Sequence, residues 1–171
     1  MKKRWGVLVL CFCLIACLFS CNQQVEEKPL SKNQPYFFEK SVCTVDDGVT
    51  MQELYGFIPQ YLWGEAYPTT VEAFETMVVE HIDRFTIRYT SEEGTKEMYF
   101  LNVFHSIEIT DTVCKFIGEE SAELPYVQDG NTYSVTAEGT TILLTYENNR
   151  LSYTIEAPEY FAVTHYFGVE K

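Results

Sequence analysis

The sequence predicts a mainly β protein, an antiparallel up-and-down barrel of about eight strands with a short helix ahead of it. Apolar and polar residues alternate with a period of two in segment after segment of the second half, and turn-forming pairs such as Asp129-Gly130 and Asn148-Asn149 separate the segments. Strand-forming aromatics are plentiful, 12 Tyr and 12 Phe, and nearly all of them follow the first 20 residues. Short antiparallel strands in an open sheet would leave two unpaired edges, and closing the sheet removes both.

Residues 1–20 read as an export signal. Lys2, Lys3 and Arg4 precede an apolar run from Trp5 to Phe19, and the chain turns polar after Cys21 with Asn22, Gln23, Gln24 and Glu26. The run is short for a permanent membrane span, which needs roughly 20 apolar residues. The junction Leu18-Phe19-Ser20-Cys21 resembles the lipobox of bacterial lipoproteins. That resemblance implies cleavage before Cys21, a diacylglycerol on its thiol, a further acyl chain of the palmitate class on the new amino terminus, and a protein lipid-anchored to a bacterial envelope membrane. Leu14-Ile15-Ala16-Cys17 also fits the pattern, but a cut there leaves Leu18 and Phe19 beside the lipid, so Cys21 is favoured. A plain signal peptide or an uncleaved anchor is the competing reading. Asn22 stands where an Asp resembles an inner-membrane retention signal, which favours the outer membrane where a cell has one.

Residues 21–38, polar and broken by Pro29 and Pro35, read as a flexible tether, and residues 39–171 as one barrel-like domain. Met51, Leu54, Tyr55 and Ile58 recur at helical spacing, so a short helix is expected over Met51 to Phe57, ended by Pro59. Residues 70–82 leave two readings open. Thr69-Thr70-Val71-Glu72 resembles a capping box ahead of Val71, Phe74, Val78 and Ile82 at helical spacing, whereas Thr76 to Val79 also suits a strand. A helix there allows the alternative fold class, α+β with that helix packed on an antiparallel sheet.

Strand follows strand from Arg84. Phe85, Ile87 and Tyr89 alternate with Arg84, Thr86, Arg88 and Thr90, and the turn Ser91-Glu92-Glu93-Gly94 leads into Lys96 to Phe104. Ser106 to Thr110 and Val113 to Ile117 form the next hairpin, around Thr110-Asp111-Thr112. A loop containing Pro125 is expected before the Asp129-Gly130 turn. Tyr133, Val135 and Ala137 then alternate with Thr132, Ser134 and Thr136 up to Gly139. Thr140 to Tyr146 runs to Asn148-Asn149, which suits a type I′ turn, and Leu151, Tyr153 and Ile155 alternate beyond it until Pro158. Tyr160 to Val169 closes the chain with Phe161, Val163, His165, Phe167 and Val169 on one face.

The stretch Tyr61-Leu62-Trp63-Gly64, the hairpins of rising length and the four late strands resemble the lipocalin-like barrels of small bacterial lipoproteins over residues 60–169. The resemblance implies a closed meander whose interior is filled or holds one small ligand.

Composition narrows the function. Removing residues 1–20 takes away three of the 12 Lys and Arg and none of the 25 Asp and Glu, so the remaining body carries a net charge near −16. A phosphate backbone would be repelled, which argues against nucleic acid. Cys43 and Cys114 are the thiols left after processing, and either a disulfide between them or two buried free thiols is open. His81, His105 and His165 are scattered, the glycines form no phosphate loop, and no hydrolase motif is present, so no catalytic residue, metal or cofactor is assigned. Asp46-Asp47 and Asp129 lack the spacing of a calcium loop.

Two readings of function remain. In the first, Trp63, Phe85, Tyr89, Phe100, Tyr133, Tyr153 and Phe167 line the barrel and bind a small apolar or amphipathic ligand. In the second, the barrel is solid and the domain contacts an envelope protein through exposed aromatics such as Tyr126, Tyr160 and Tyr166.

Overall fold

The computed structural model describes residues 29–58, 67–82, 86–91, 94–99, 104–118 and 121–169. They form ten strands and two helices. Strand β1 (Pro35–Val45) is followed by helix α1 (Met51–Leu54), a 3₁₀ turn (Tyr55–Phe57) and helix α2 (Val71–Glu80). Then come β2 (Thr86–Ser91), β3 (Gly94–Tyr99), β4 (Ser106–Ile109), β5 (Val113–Ile117), β6 (Ala122–Asp129), β7 (Thr132–Ala137), β8 (Thr140–Glu147), β9 (Arg150–Ala157) and β10 (Phe161–Gly168).

Eight of the strands close a barrel in the order β1-β10-β9-β8-β7-β6-β5-β4, every pair antiparallel. The mainly β, closed eight-stranded architecture expected from the alternation is therefore present, but its strands are not all the expected ones. The wall begins with β1, whose first four residues, Pro35 to Phe38, fall in the stretch read as tether and which lies ahead of the region resembling a lipocalin-like barrel. The β2-β3 hairpin, which the alternation placed in the wall, forms a separate two-stranded sheet. The segment expected as a loop around Pro125 is β6. Pro125 pairs with Val113 of β5, and the β6-β7 ladder stops at Tyr126, so the missing N–H falls beside the end of a ladder.

Local chemistry sets the element ends. Thr50 and Glu53 make a reciprocal capping box, with Thr50 N donating to Glu53 Oε2 at 2.7 Å, and α1 starts there. At α2 the Thr70 hydroxyl accepts from Ala73 N at 3.2 Å. That cap, with Phe74 and Val78 buried one turn apart, resolves residues 70–82 as helix. Asn148 (φ 52°) and Asn149 (φ 63°) supply the two left-handed residues of the tight β8-β9 turn.

Strand β1 is irregular at Glu39, where its register against β10 slips by one residue between Phe38 and Lys40. The Glu39 side chain lies over Gly168 and reaches Arg150 Nε at 2.7 Å. A Cβ at Gly168 would meet that carboxyl group, the far end of a flexible side chain that would have to swing aside.

The core has two parts. At the end where β9 turns into β10, Leu54, Phe57, Phe74, Val78 and Ile82 from the helical region pack on Ala157, Phe161 and Val163. The rest of the interior holds Tyr36, Ile107, Ile109, Cys114, Phe116, Tyr133, Val135, Leu144, Tyr146, Leu151, Tyr153 and Phe167. Every one of these twelve lies on the inward side of the alternation, which is why a period of two produces a closed core. Among the described residues no helix is long and apolar enough to cross a membrane.

Candidate functional site

Antiparallel pairing stacks the inward side chains of β1, β10 and β9 in rows. Val45, Phe161 and Ala157 form one row, and Cys43, Val163 and Ile155 the next. Ser41, His165 and Tyr153 follow, and beyond them Phe38, Phe167 and Leu151. A polar row thus lies between apolar ones, in the interior of the barrel.

His165 is 1% exposed and Tyr153 5%. The Ser41 Oγ stands 2.8 Å from His165 Nδ1, which fixes the imidazole, and the Tyr153 ring packs on it at 4.7 Å between centroids. Phe167 stacks on the other side of Tyr153 at 5.9 Å, and Phe104 approaches it at 6.4 Å. Among the described residues neither His165 Nε2 nor the Tyr153 hydroxyl has a hydrogen-bond partner. Burial pushes the His165 imidazole down to about 4 and the Tyr153 phenol up, so both are neutral near pH 7. The row therefore offers two neutral groups, each able to donate or accept, on a wall of aromatic rings.

Ser41 and His165 have the contact of a nucleophile and its base, but a base held at about 4 takes up the serine proton poorly at neutral pH. No group of three or more candidate metal ligands occurs among the described residues. His81 caps the end of α2, with its backbone N–H bonded to Met77 O, and His105 is exposed in the segment before β4.

Of the residues expected to line the interior, Tyr133, Tyr153 and Phe167 are buried on the inward face. Tyr89 stands on β2, a strand of the separate hairpin and not of the barrel wall. Trp63, Phe85 and Phe100 lie outside the described residues, as does Cys21. Ser41 and His165 were not singled out for binding. The sequence signal for His165 is its place between Val163 and Phe167 on an otherwise apolar face, whereas Ser41 carries no such signal.

The disulfide left open between Cys43 and Cys114 is not formed, and both thiols are free. β1 meets β4 only through Pro35, Tyr36 and Phe37, while Cys114 pairs with Ile109. Cys43 is therefore roughly 20 Å farther along its strand at about 3.3 Å per residue, well beyond the reach of a bridge. Burial pushes each thiol up to about 12.

The tyrosines of the expected contact patch are half-buried. Tyr126 is half-buried, donates to Thr110 O at 2.8 Å and lies under the Lys32 ammonium. Tyr160 packs on Phe57 at 4.9 Å, and Tyr166 lies beneath Lys40.

Fold and interior together define a closed eight-stranded antiparallel barrel with a buried neutral polar row. Compared with known proteins, the chain matches no family model, no curated protein and no solved structure.

Proposed function

We propose that the protein is a lipid-anchored component of a bacterial envelope whose barrel takes up a small amphipathic molecule. The observation that carries the binding reading is the buried pair His165 and Tyr153, set among aromatic rings, whose Nε2 and hydroxyl have no hydrogen-bond partner among the described residues and are not sealed from a small probe. Atoms left open in this way can pair with the polar end of a bound molecule, which then gains hydrogen bonds inside an aromatic surround. The aromatic neighbours Phe104, Phe116 and Phe167 supply an apolar surface for the remainder of the ligand.

Placement rests on the sequence. Lys2 to Arg4, the apolar run to Phe19 and the lipobox-like Leu18 to Cys21 support export and acylation of Cys21. Two or three acyl chains, at about 0.8 kcal/mol per buried methylene, hold such a protein stably. Pro29 stands eight positions after Cys21, a span of at most about 28 Å, so the domain stays close to the bilayer. Asn22 favours the outer membrane where one exists.

The competing reading, an envelope contact module, draws on Val127 (71% exposed) and Leu143 (55%), which flank Ser134 in one outward row. Two aliphatic side chains make a small patch, and the buried polar row favours the binding reading.

Titration with the neutral fluorophore N-phenyl-1-naphthylamine separates the two. Saturable binding that weakens in Tyr153→Ala supports the ligand-binding barrel; no binding by a folded protein overturns it in favour of the contact module. Intact mass of membrane-extracted protein tests the anchor, expected to show loss of residues 1–20 and added acyl chains on Cys21. An unmodified Cys21 would overturn that part.

A further inference from the structure

Resting on the ligand-binding reading, we infer that the headgroup received by the Ser41-His165-Tyr153 row is uncharged: a hydroxyl, ester or amide, as in a monoacylglycerol, and not a carboxylate, phosphate or amine. The inward positions of the eight barrel strands bear directly on this. Tyr36, Phe38, Ser41, Cys43 and Val45 on β1, Ile107 and Ile109 on β4, and Cys114 and Phe116 on β5 carry no formal charge. The same holds for Leu124, Tyr126 and Gln128 on β6, Tyr133 and Val135 on β7, and Ile142, Leu144 and Tyr146 on β8. It holds again for Leu151, Tyr153, Ile155 and Ala157 on β9 and Phe161, Val163, His165 and Phe167 on β10. In a protein with 37 charged side chains, those on the eight barrel strands lie off the inward positions, as in the row of Glu108, Lys115 and Glu123.

An ionised headgroup entering this interior would leave water and meet no counter-charge at these inward positions, and so would bind more weakly than a neutral one. A neutral hydroxyl or carbonyl meets two partners that are already neutral. The bond between Ser41 and Nδ1 holds the ring still, so Nε2 has a fixed direction, and the Tyr153 hydroxyl on the adjacent strand adds a second contact. Because Ser41 can either donate to Nδ1 or accept from it, Nε2 can serve as donor or acceptor. That versatility suits a glycerol or amide group, which offers both.

The test uses the full processed protein extracted from membranes and native mass spectrometry, which counts bound molecules directly. The probes are N-phenyl-1-naphthylamine and a C12 series of 1-monolaurin, laurate and dodecylamine at pH 7.5. Expected is a one-to-one adduct with the fluorophore and with monolaurin, and adducts at least about tenfold weaker with laurate and dodecylamine, the scale of one uncompensated buried charge or hydrogen bond. His165→Phe should lose monolaurin selectively while keeping the fluorophore, and His165→Gln, which can still donate and accept, should recover part of it. Laurate or dodecylamine binding as tightly as monolaurin, or His165→Phe binding monolaurin undiminished, overturns the inference and leaves the ligand-binding reading standing. If the fluorophore itself fails to bind, that reading falls and takes the inference with it.

Discussion

Lowering the pH from 7 to 5 is expected to destabilise the fold through His165 by about 2 kcal/mol. The imidazole is held at about 4 in the folded protein, against an ordinary value of 6.5, because a charge there is deprived of water. Folding therefore favours the neutral ring. Above pH 6.5 both states are neutral and the residue adds no pH dependence. As pH falls below 6.5 the unfolded chain takes up a proton that the folded one refuses, and stability declines until pH reaches about 4. Over the full window the loss approaches about 3 kcal/mol, and by pH 5 about two thirds of it has accrued. With His165 1% exposed, solvent does little to screen the effect. Urea unfolding followed by far-UV circular dichroism at pH 7 and pH 5, at constant ionic strength, measures the change. His165→Gln supplies the control, since carboxylates elsewhere titrate equally in both proteins. The parent should lose about 2 kcal/mol more than the variant between the two pH values. Equal losses would refute the reasoning, because they would mean that the imidazole is as readily protonated folded as unfolded.

Other perturbations have equally defined outcomes. Phe74→Ala, which empties a fully buried position between α2 and Phe161, should cost about 3–5 kcal/mol in chemical denaturation. Asn149→Val places a β-branched residue at φ 63° and should lower stability by about 1–2 kcal/mol, whereas Asn149→Gly should change it little. Gly168→Ala should push the Glu39 carboxyl aside and break its exposed pair with Arg150, at about 1 kcal/mol or less, and the penalty should vanish in a Glu39→Ala background. Iodoacetamide at pH 8 should leave Cys43 and Cys114 unmodified in the folded protein and label both in urea, as read by intact mass, because thiols held near 12 present almost no thiolate.

The strands from β7 to β10 were legible in the sequence because each is a short, clean alternation between strong turn residues. Asn148-Asn149 fixes one register by chemistry alone. β1 was hidden for an equally physical reason. Its extra residue at Glu39 shifts the inward face from Tyr36 and Phe38 to Ser41, Cys43 and Val45, so no single period runs through it, and its first residues follow Pro29 and Pro35 in a polar stretch that reads as spacer. Pro125 disguised β6 in the same way. The β2-β3 hairpin alternates as cleanly as any wall strand, and its pattern says nothing about which edge it joins. Of the polar row, Tyr153 and the oddity of His165 among apolar neighbours could be read from spacing. Ser41 could not, because its tie to His165 joins positions 124 residues apart and exists only through closure of the barrel.

The seam between the first and last wall strands has a kinetic corollary. β1 hydrogen-bonds to β10, so the opening strand of the domain waits for almost the entire polypeptide to be delivered before it gains its longest partner. Bringing such distant segments together incurs a loop-closure penalty that grows with the logarithm of their separation, and folds dominated by pairings of this range assemble slowly. The barrel can therefore close only once the residues of β10 are available to β1, late in the making of the chain.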